Sequence, residues 1–272
     1  MLEFFEALQQ QSFLRQALAA GLLASLASGL MGPYVVVRRI GYLAGGIAHS
    51  VLGGMGVAYY YGLSPQGGAV VGALLAALGI GWASRRWSAQ EDLLISALWS
   101  AGMATGIVFI ARSPGYNVDL LGYLFGNILL VSPAELGWMA GLDLALAALV
   151  VLLHRQLLAL CFDEEFARLR GVPVTALYLV LLCMVALAVV LMVQVVGLIL
   201  VIALLTLPAA AAGHWVRSFP AMMALAGLIG AAATSAGLAL AYAADLPAGA
   251  VMVLLTAGLY LGSMLLKGGR RP

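Results

Sequence analysis

Charge is what this chain has least of. Only 9% of its 272 residues are charged, against about a quarter in an ordinary soluble domain. Lysine is nearly missing: Lys267 is the single one, and Gly268 follows it. A phosphate-cradling loop of the form G-x-x-x-x-G-K-[ST] therefore cannot be built here. With three histidines there is no H-E-x-x-H for a metallopeptidase, and no G-x-S-x-G nucleophile elbow occurs. The two cysteines, Cys161 and Cys183, do not make a disulfide framework. A net charge of +2 is too small to imply nucleic acid as a partner. What fills the chain instead is apolar: 64% of residues are hydrophobic and the mean hydropathy is +1.08.

Apolar segments run from end to end with no linker between them, so the expected fold is all-α. It is a single polytopic transmembrane bundle over residues 1–272 with about eight or nine spans. The spans read as 13–32, 41–62, 67–84, 91–111, 134–154, 173–193, 197–213, 220–242 and 248–266. The stretch from Pro173 to Gly213 is too long for one crossing, and Gln194 and Gly197 mark the expected break. Residues 1–12 carry Glu3 and Glu6 without a basic residue, which suits a short interfacial helix rather than a signal peptide. With the N-terminus outside and the C-terminus inside, the inner loops hold Arg38, Arg39, Arg85, Arg86, Arg155, Arg168, Arg170, Arg217, Lys267, Arg270 and Arg271. Only Arg15 and Arg112 of the 13 basic residues stay outside. That asymmetry predicts a multi-pass protein of the cell (inner) membrane, surrounded by lipid.

The richest stretch runs from Arg38 to Gly56. As a helix it puts Gly41, Gly45, His49 and Gly53 on one face. His49 then lies roughly 15 Å beyond Arg39, halfway across a hydrocarbon core of about 30 Å. The glycines, Gly45, Gly46 and Gly53 among them, either pack a neighbouring helix or keep a path open. Ionisable groups at such depth mark pathways more often than packing. Asp143, about ten residues past Pro133, falls at matching depth. His49 and Asp143 are the candidate metal-contacting pair, an imidazole and a hard oxygen compatible with Zn²⁺, Mn²⁺ or Fe²⁺. Hydrogen bonding of a neutral Asp143 to a neighbouring helix is the alternative. His154 and His214 sit at expected inner membrane edges and read as interfacial cations or caps.

Two connections stand out. On the outer side, Asp119–Ser132 is apolar but too short to cross, which suits a re-entrant or interfacial helix. On the inner side, Cys161–Val174 reads C-F-D-E-E-F-A-R-L-R-G-V-P-V. Asp163, Glu164 and Glu165 open a short helix at about 162–172, Arg168 and Arg170 close it, and Gly171 and Pro173 stop it. Pro208 predicts a kink, and Asp245 with Pro247 predicts a helix start.

These segments resemble the membrane subunits of ABC importers for zinc, manganese and iron. The likeness lies in V-V-V-R-R-I…A-H-S-V-L-G-G (35–54), D-L-L-G-Y-L-F-G-N-I-L (119–129) and D-E-E-F-A-R-L-R-G-V-P-V (163–174). It continues in 195–212 and in D-L-P-A-G-A (245–250), all in the same order along nearly the whole chain. The resemblance implies a homodimer of permeases, two cytoplasmic ATP-binding subunits and an external or periplasmic metal-binding protein. It implies that 163–174 is the helix coupling to the ATPase, with Asp163, Glu164, Glu165, Ala167 and Gly171 as its contact residues. The family usually places an aspartate four residues before the histidine corresponding to His49, and the two contact the ion in transit. Here that position is Gly45, and Asn127 stands where an acid is common.

The expected function is that of a permease subunit in an ATP-driven importer of zinc, manganese or iron. It is not itself an enzyme: no cofactor is bound by this chain, and ATP is hydrolysed in a partner. The alternatives are an ABC permease for a metal chelate or other small solute, a proton-coupled secondary transporter using Asp143 and His49, and a scaffold without transport.

Overall fold

The computed structural model describes residues 2–87, 91–113 and 126–268. Its regular elements there are helical. They are α1 (Leu2–Gln10), α2 (Ser12–Arg38), α3 (Gly41–Tyr60), α4 (Pro65–Arg86), α5 (Glu91–Ala111), a 3₁₀ turn (Ile128–Leu130), α6 (Pro133–Phe162), α7 (Glu164–Leu169), α8 (Val174–Gly213), α9 (Phe219–Ala244) and α10 (Ala248–Gly268). Among the described residues, seven helices are long and apolar enough to cross a membrane: α2, α4, α5, α6, α8, α9 and α10. The expected eight or nine spans differ from seven for two reasons. The 20-residue α3 is long enough, but its glycines, His49, Ser50 and tyrosines dilute its apolar character. The two spans expected over 173–213 fall in one 40-residue helical run whose backbone breaks at Gly197, so they count once by length.

That long element is not uniform. Gly197 has φ 78° and ψ 171°, a non-helical conformation inside α8 open almost only to glycine. The break therefore falls where Gln194 and Gly197 predicted it. Gly126, also left-handed at φ 73°, meets it from the connection that precedes α6. A Cβ on Gly126 would strike the Gly197 nitrogen and come within 2.6 Å of the Val196 carbonyl carbon. Residues 119–125 of the expected re-entrant helix lie outside the described residues. Asp245 and Pro247 mark a helix start as expected: α10 begins at Ala248, and the Val251 N–H bonds back to the Pro247 carbonyl. Asp245 also ends the helix before it, adopting φ 52° as the left-handed C-cap of α9 with its N–H bonded back to the Ala241 carbonyl.

The helices sort into two compact units. One comprises, within the described residues, 2–36, 126–148 and 191–268. In it α2 is buried along much of its length, and apolar burial alone cannot drive helices together in lipid, so small residues and hydroxyls do the packing. A Cβ on Gly29 would approach Gly227 Cα of α9 to 2.7 Å. The Ser28 hydroxyl donates to the Leu204 carbonyl at 2.7 Å, and Ser25 meets Thr234 at 3.1 Å. Tyr34 packs on Phe219.

The other unit comprises 37–87, 91–113 and 149–190. Here α3 lies between α4 and α5. The glycines of the opening stretch make this possible: Gly54 faces Gly68 and Gly72 of α4, while Gly53 and Gly56 face Gly102 and Gly106 of α5. Gly81 of α4 receives Leu179 and Leu182 of α8.

Candidate functional site

Tight packing of α3 on α5 sets the surroundings of His49. The side chain is 8% exposed, and the Trp99 indole of α5 stacks on its ring with centroids 4.1 Å apart and planes 7° from parallel. Stacking occupies a face of the imidazole, whereas metals and hydrogen-bond partners approach a nitrogen in the ring plane. Nδ1 is buried and has no hydrogen-bond partner among the described residues. The indole is itself held, its Nε1 donating to Met103 Sδ at 3.2 Å. Two turns nearer the start of α3, Tyr42 and Ser96 share a hydroxyl–hydroxyl bond of 2.6 Å. Gly45 is buried one turn before His49, and Gly46 accommodates Ile95 of α5 and Ile80 of α4. Gly46 and Gly53 therefore meet neighbouring helices, the packing alternative for these glycines.

Asp143 lies on α6 in the other unit, 2% exposed, with both carboxylate oxygens buried and unpartnered among the described residues. Among those residues no three of histidine, cysteine, aspartate and glutamate gather as a metal cage. A transit site needs no such cage, because an ion held as in a closed structural site would not leave.

The short helix α7 forms as its sequence specifies. The Asp163 carboxylate accepts from the Phe166 N–H at 2.8 Å and so caps α7. At the other end Gly171, at φ 79°, closes it: Val172 N–H bonds the Ala167 carbonyl and Gly171 N–H the Arg168 carbonyl, a Schellman ending. Ala167 is buried, while Glu165 points to an exposed position with Asp163. Phe166 and Leu169 are exposed at 49% and 83%.

Glu164 is the residue whose role exceeds its sequence reading. Its Oε2 accepts from Arg38 at the end of α2 at 2.9 Å, and its Oε1 from Arg85 at the end of α4 at 2.8 Å. Arg168 stands 3.5 Å from Oε1. Arg85 also lies over the Tyr178 ring of α8, 4.5 Å from its centroid. One carboxylate thus ties the short helix to the ends of two long ones and, through Arg85, to a third. Burial raises the Glu164 pKa, but the hydrogen bonds and charges of Arg38 and Arg85 outweigh it and hold the carboxyl below its ordinary range. Sequence reading counted Arg38 and Arg85 only as markers of the inner face. The available signal was an acid on a short helix facing basic residues at span ends. Trp99 had no comparable signal, since an aromatic in an apolar span reads as core.

With this geometry in hand, comparison with known proteins is informative. Residues 10–267 match the profile of the ABC 3 transport family. An uncharacterized membrane protein of Synechocystis is 44% identical over 97% of this chain and 94% of its own. The manganese transport system membrane protein MntC of Halalkalibacterium halodurans is 35% identical, over 94% of this chain and 88% of its own. Among solved structures, PsaBC from Streptococcus pneumoniae in complex with Fab superposes with a TM-score of 0.89 at 32% identity, covering 97% of this chain and 95% of that one. Family profile, relatives and superposed structure all run almost the full length, and the chain belongs to the ABC 3 transport family.

Proposed function

We propose that this chain is the membrane-spanning permease subunit of an ATP-driven importer of a divalent metal ion, with manganese the first candidate among manganese, zinc and iron. The observation that carries the reading is its full-length likeness to proteins named for manganese transport. The chain works as a single permease domain and a homodimer in the inner membrane, with ATP hydrolysed by a separate cytoplasmic subunit and metal delivered by an external binding protein. The positive-inside asymmetry supports an outer N-terminus and an inner C-terminus. The length of α3 and the Gly197 break in α8 support eight or nine crossings.

Within this reading, α7 is the contact to the ATPase. Phe166 and Leu169 offer the apolar part of the contact, and Asp163, Glu165 and Gly171 flank it, over a buried Ala167. Glu164 passes movement of α7 to α2 and α4 through Arg38 and Arg85. His49 of each protomer touches the ion in transit, a weak site by design because one imidazole per protomer releases what it binds. Asp143 is the second candidate ligand.

The test is reconstitution of this chain with its ATPase and binding protein in liposomes. ATP-dependent uptake of Mn²⁺ in preference to Zn²⁺ and Fe²⁺ is expected. Uptake that persists without ATP, driven by a proton gradient, would replace this reading by secondary transport.

A further inference from the structure

A second polar feature lies far along the chain from His49 and α7. The residues joining α8 to α9 and the last turn of α10 form an open-sided cavity of about 400 Å³, lined by His214, Trp215, Val216, Arg217, Leu266 and Lys267. That volume falls in the range of about 300–1,000 Å³ typical of small-ligand sites. All three flanking helices are apolar enough to cross a membrane and end or begin here, so the cavity opens at the level where hydrocarbon gives way to water.

Its charge is one-sided. Neither Arg217 nor Lys267 has an ion-pair partner among the described residues, where the salt bridges converge on Glu164. The C-termini of α8 and α10 contribute about half a negative charge each, and the N-terminus of α9 about half a positive one. These ends leave the two full cationic charges largely uncompensated. His214 adds an oriented ring. The Ser263 hydroxyl gives its one proton to the Tyr260 carbonyl at 2.7 Å, so at 2.8 Å it accepts from His214 Nδ1–H. Nε2 is an acceptor in this tautomer and cannot donate to a phosphate, so the phosphate contacts fall to Arg217 and Lys267, and the Tyr260 ring stacks behind the imidazole at 5.7 Å. The remaining lining is apolar and open, Trp215 at 55% and Leu266 at 69% exposure. Indole is favoured at just this boundary.

We propose that this cavity binds the phosphate of an anionic phospholipid headgroup. Arg217 and Lys267 hold the phosphate beside His214, and Trp215 and Leu266 lie along the lipid's apolar part. A free phosphate shares the polar chemistry but has no use for the exposed apolar wall. The inference rests on α8, α9 and α10 crossing the membrane and not on transport, so its readout is lipid binding.

The test uses the purified, delipidated full-length chain in native mass spectrometry. Dioleoyl phosphatidylglycerol is compared with dioleoyl phosphatidylcholine, and inorganic phosphate is added in a separate arm. Phosphatidylglycerol is expected to bind in preference. The double variant Arg217→Gln with Lys267→Gln should weaken it about thirtyfold, at roughly 1 kcal/mol for each basic group, while Arg217→Lys should retain it. Equal binding by wild type and double variant overturns the site. Binding of inorganic phosphate without any preference between the two lipids overturns the lipid assignment. Carbonate-resistant membrane association, scored for each variant, separates loss of the site from failure of the crossing helices.

Discussion

The Trp99 indole lies parallel to the His49 imidazole, 7° apart in plane and 4.1 Å between centroids. A stack of this kind restrains the ring without using its nitrogens. It converts a flexible side chain into an oriented one, which a transit ligand requires. His49→Ala should lower metal uptake about 10–100-fold in reconstituted liposomes, the range seen when a metal-site contact is lost. Trp99→Ala should lower it less, and Trp99→Phe should preserve most of it because a flat ring remains. Normal uptake of Mn²⁺, Zn²⁺ and Fe²⁺ by His49→Ala would make the histidine a packing residue.

Glu164→Gln removes two charge-assisted hydrogen bonds from a partly exposed site. It should destabilise the chain by only ~1–2 kcal/mol after allowance for solvent screening, yet reduce metal-stimulated ATP hydrolysis severalfold in the assembled importer. A pH signature follows from the lowered carboxyl pKa. The clamp is complete above the ordinary glutamate value of 4.5 and is lost as pH falls through the lower folded value. Melting of the purified wild type should therefore fall off below about pH 5 more steeply than that of Glu164→Gln. Identical pH profiles would remove Glu164 from the account.

Orientation can be read by labelling. Leu63, 65% exposed between α3 and α4, and Trp87, 44% exposed after α4, belong on opposite sides of the membrane. In a background without Cys161 and Cys183, Leu63→Cys should react with an impermeant maleimide on intact cells, and Trp87→Cys only after permeabilisation. The reverse pattern would put α7 outside and detach it from any cytoplasmic ATPase.

Much of this architecture is legible in the sequence because membranes impose few rules. Apolar length gives helices, and the ends of α4, α5 and α9 fall within a few residues of expectation. The α7 caps are local chemistry, with Asp163 before Phe166 and Gly171 after Arg170, and local chemistry needs no tertiary information. The Arg38–Glu164–Arg85 clamp could not be read the same way. It joins residues 126 and 79 positions apart, and span topology says which end a residue occupies but not which neighbour it meets. The partners of Gly53 and Gly56 on α5 were hidden for the same reason: a stripe of small residues announces close approach without naming the other helix. Asp245 and Pro247 gave the start of α10 correctly, but not that Asp245 also caps the end of α9, because an acid two residues before proline does not say how the preceding helix ends.

The backbone at Gly197 offers a test independent of charge. With φ 78° and ψ 171°, any β-carbon there costs about 1–3 kcal/mol, and Gly126 approaches from the facing connection. Gly197→Ala should lower the melting temperature and straighten α8. Gly79→Ala, on an α4 site with open space beside it, should be neutral or slightly stabilising. Equal melting of the two variants would mean that the break is not required by the fold.

The last prediction turns on Gly45, which stands one helical turn before His49 where the resembling importers usually carry aspartate. Residues at i and i+4 of a helix sit about 6 Å apart on one face, close enough for a carboxylate and an imidazole to hold one cation together. Gly45→Asp should thus deepen the transit site proposed at His49. A deeper site binds sooner and releases later, so uptake of Mn²⁺ should half-saturate at lower metal concentration and reach a lower maximum. The hard oxygen should also favour Mn²⁺ over Zn²⁺ more than His49 alone does. Gly45→Asn separates charge from bulk: it brings similar volume into the buried position without the carboxylate, and should slow transport of both metals without changing their order. Should Gly45→Asp assemble with its ATPase and transport both metals with unchanged half-saturation, maximum and preference, His49 lies off the ion's path.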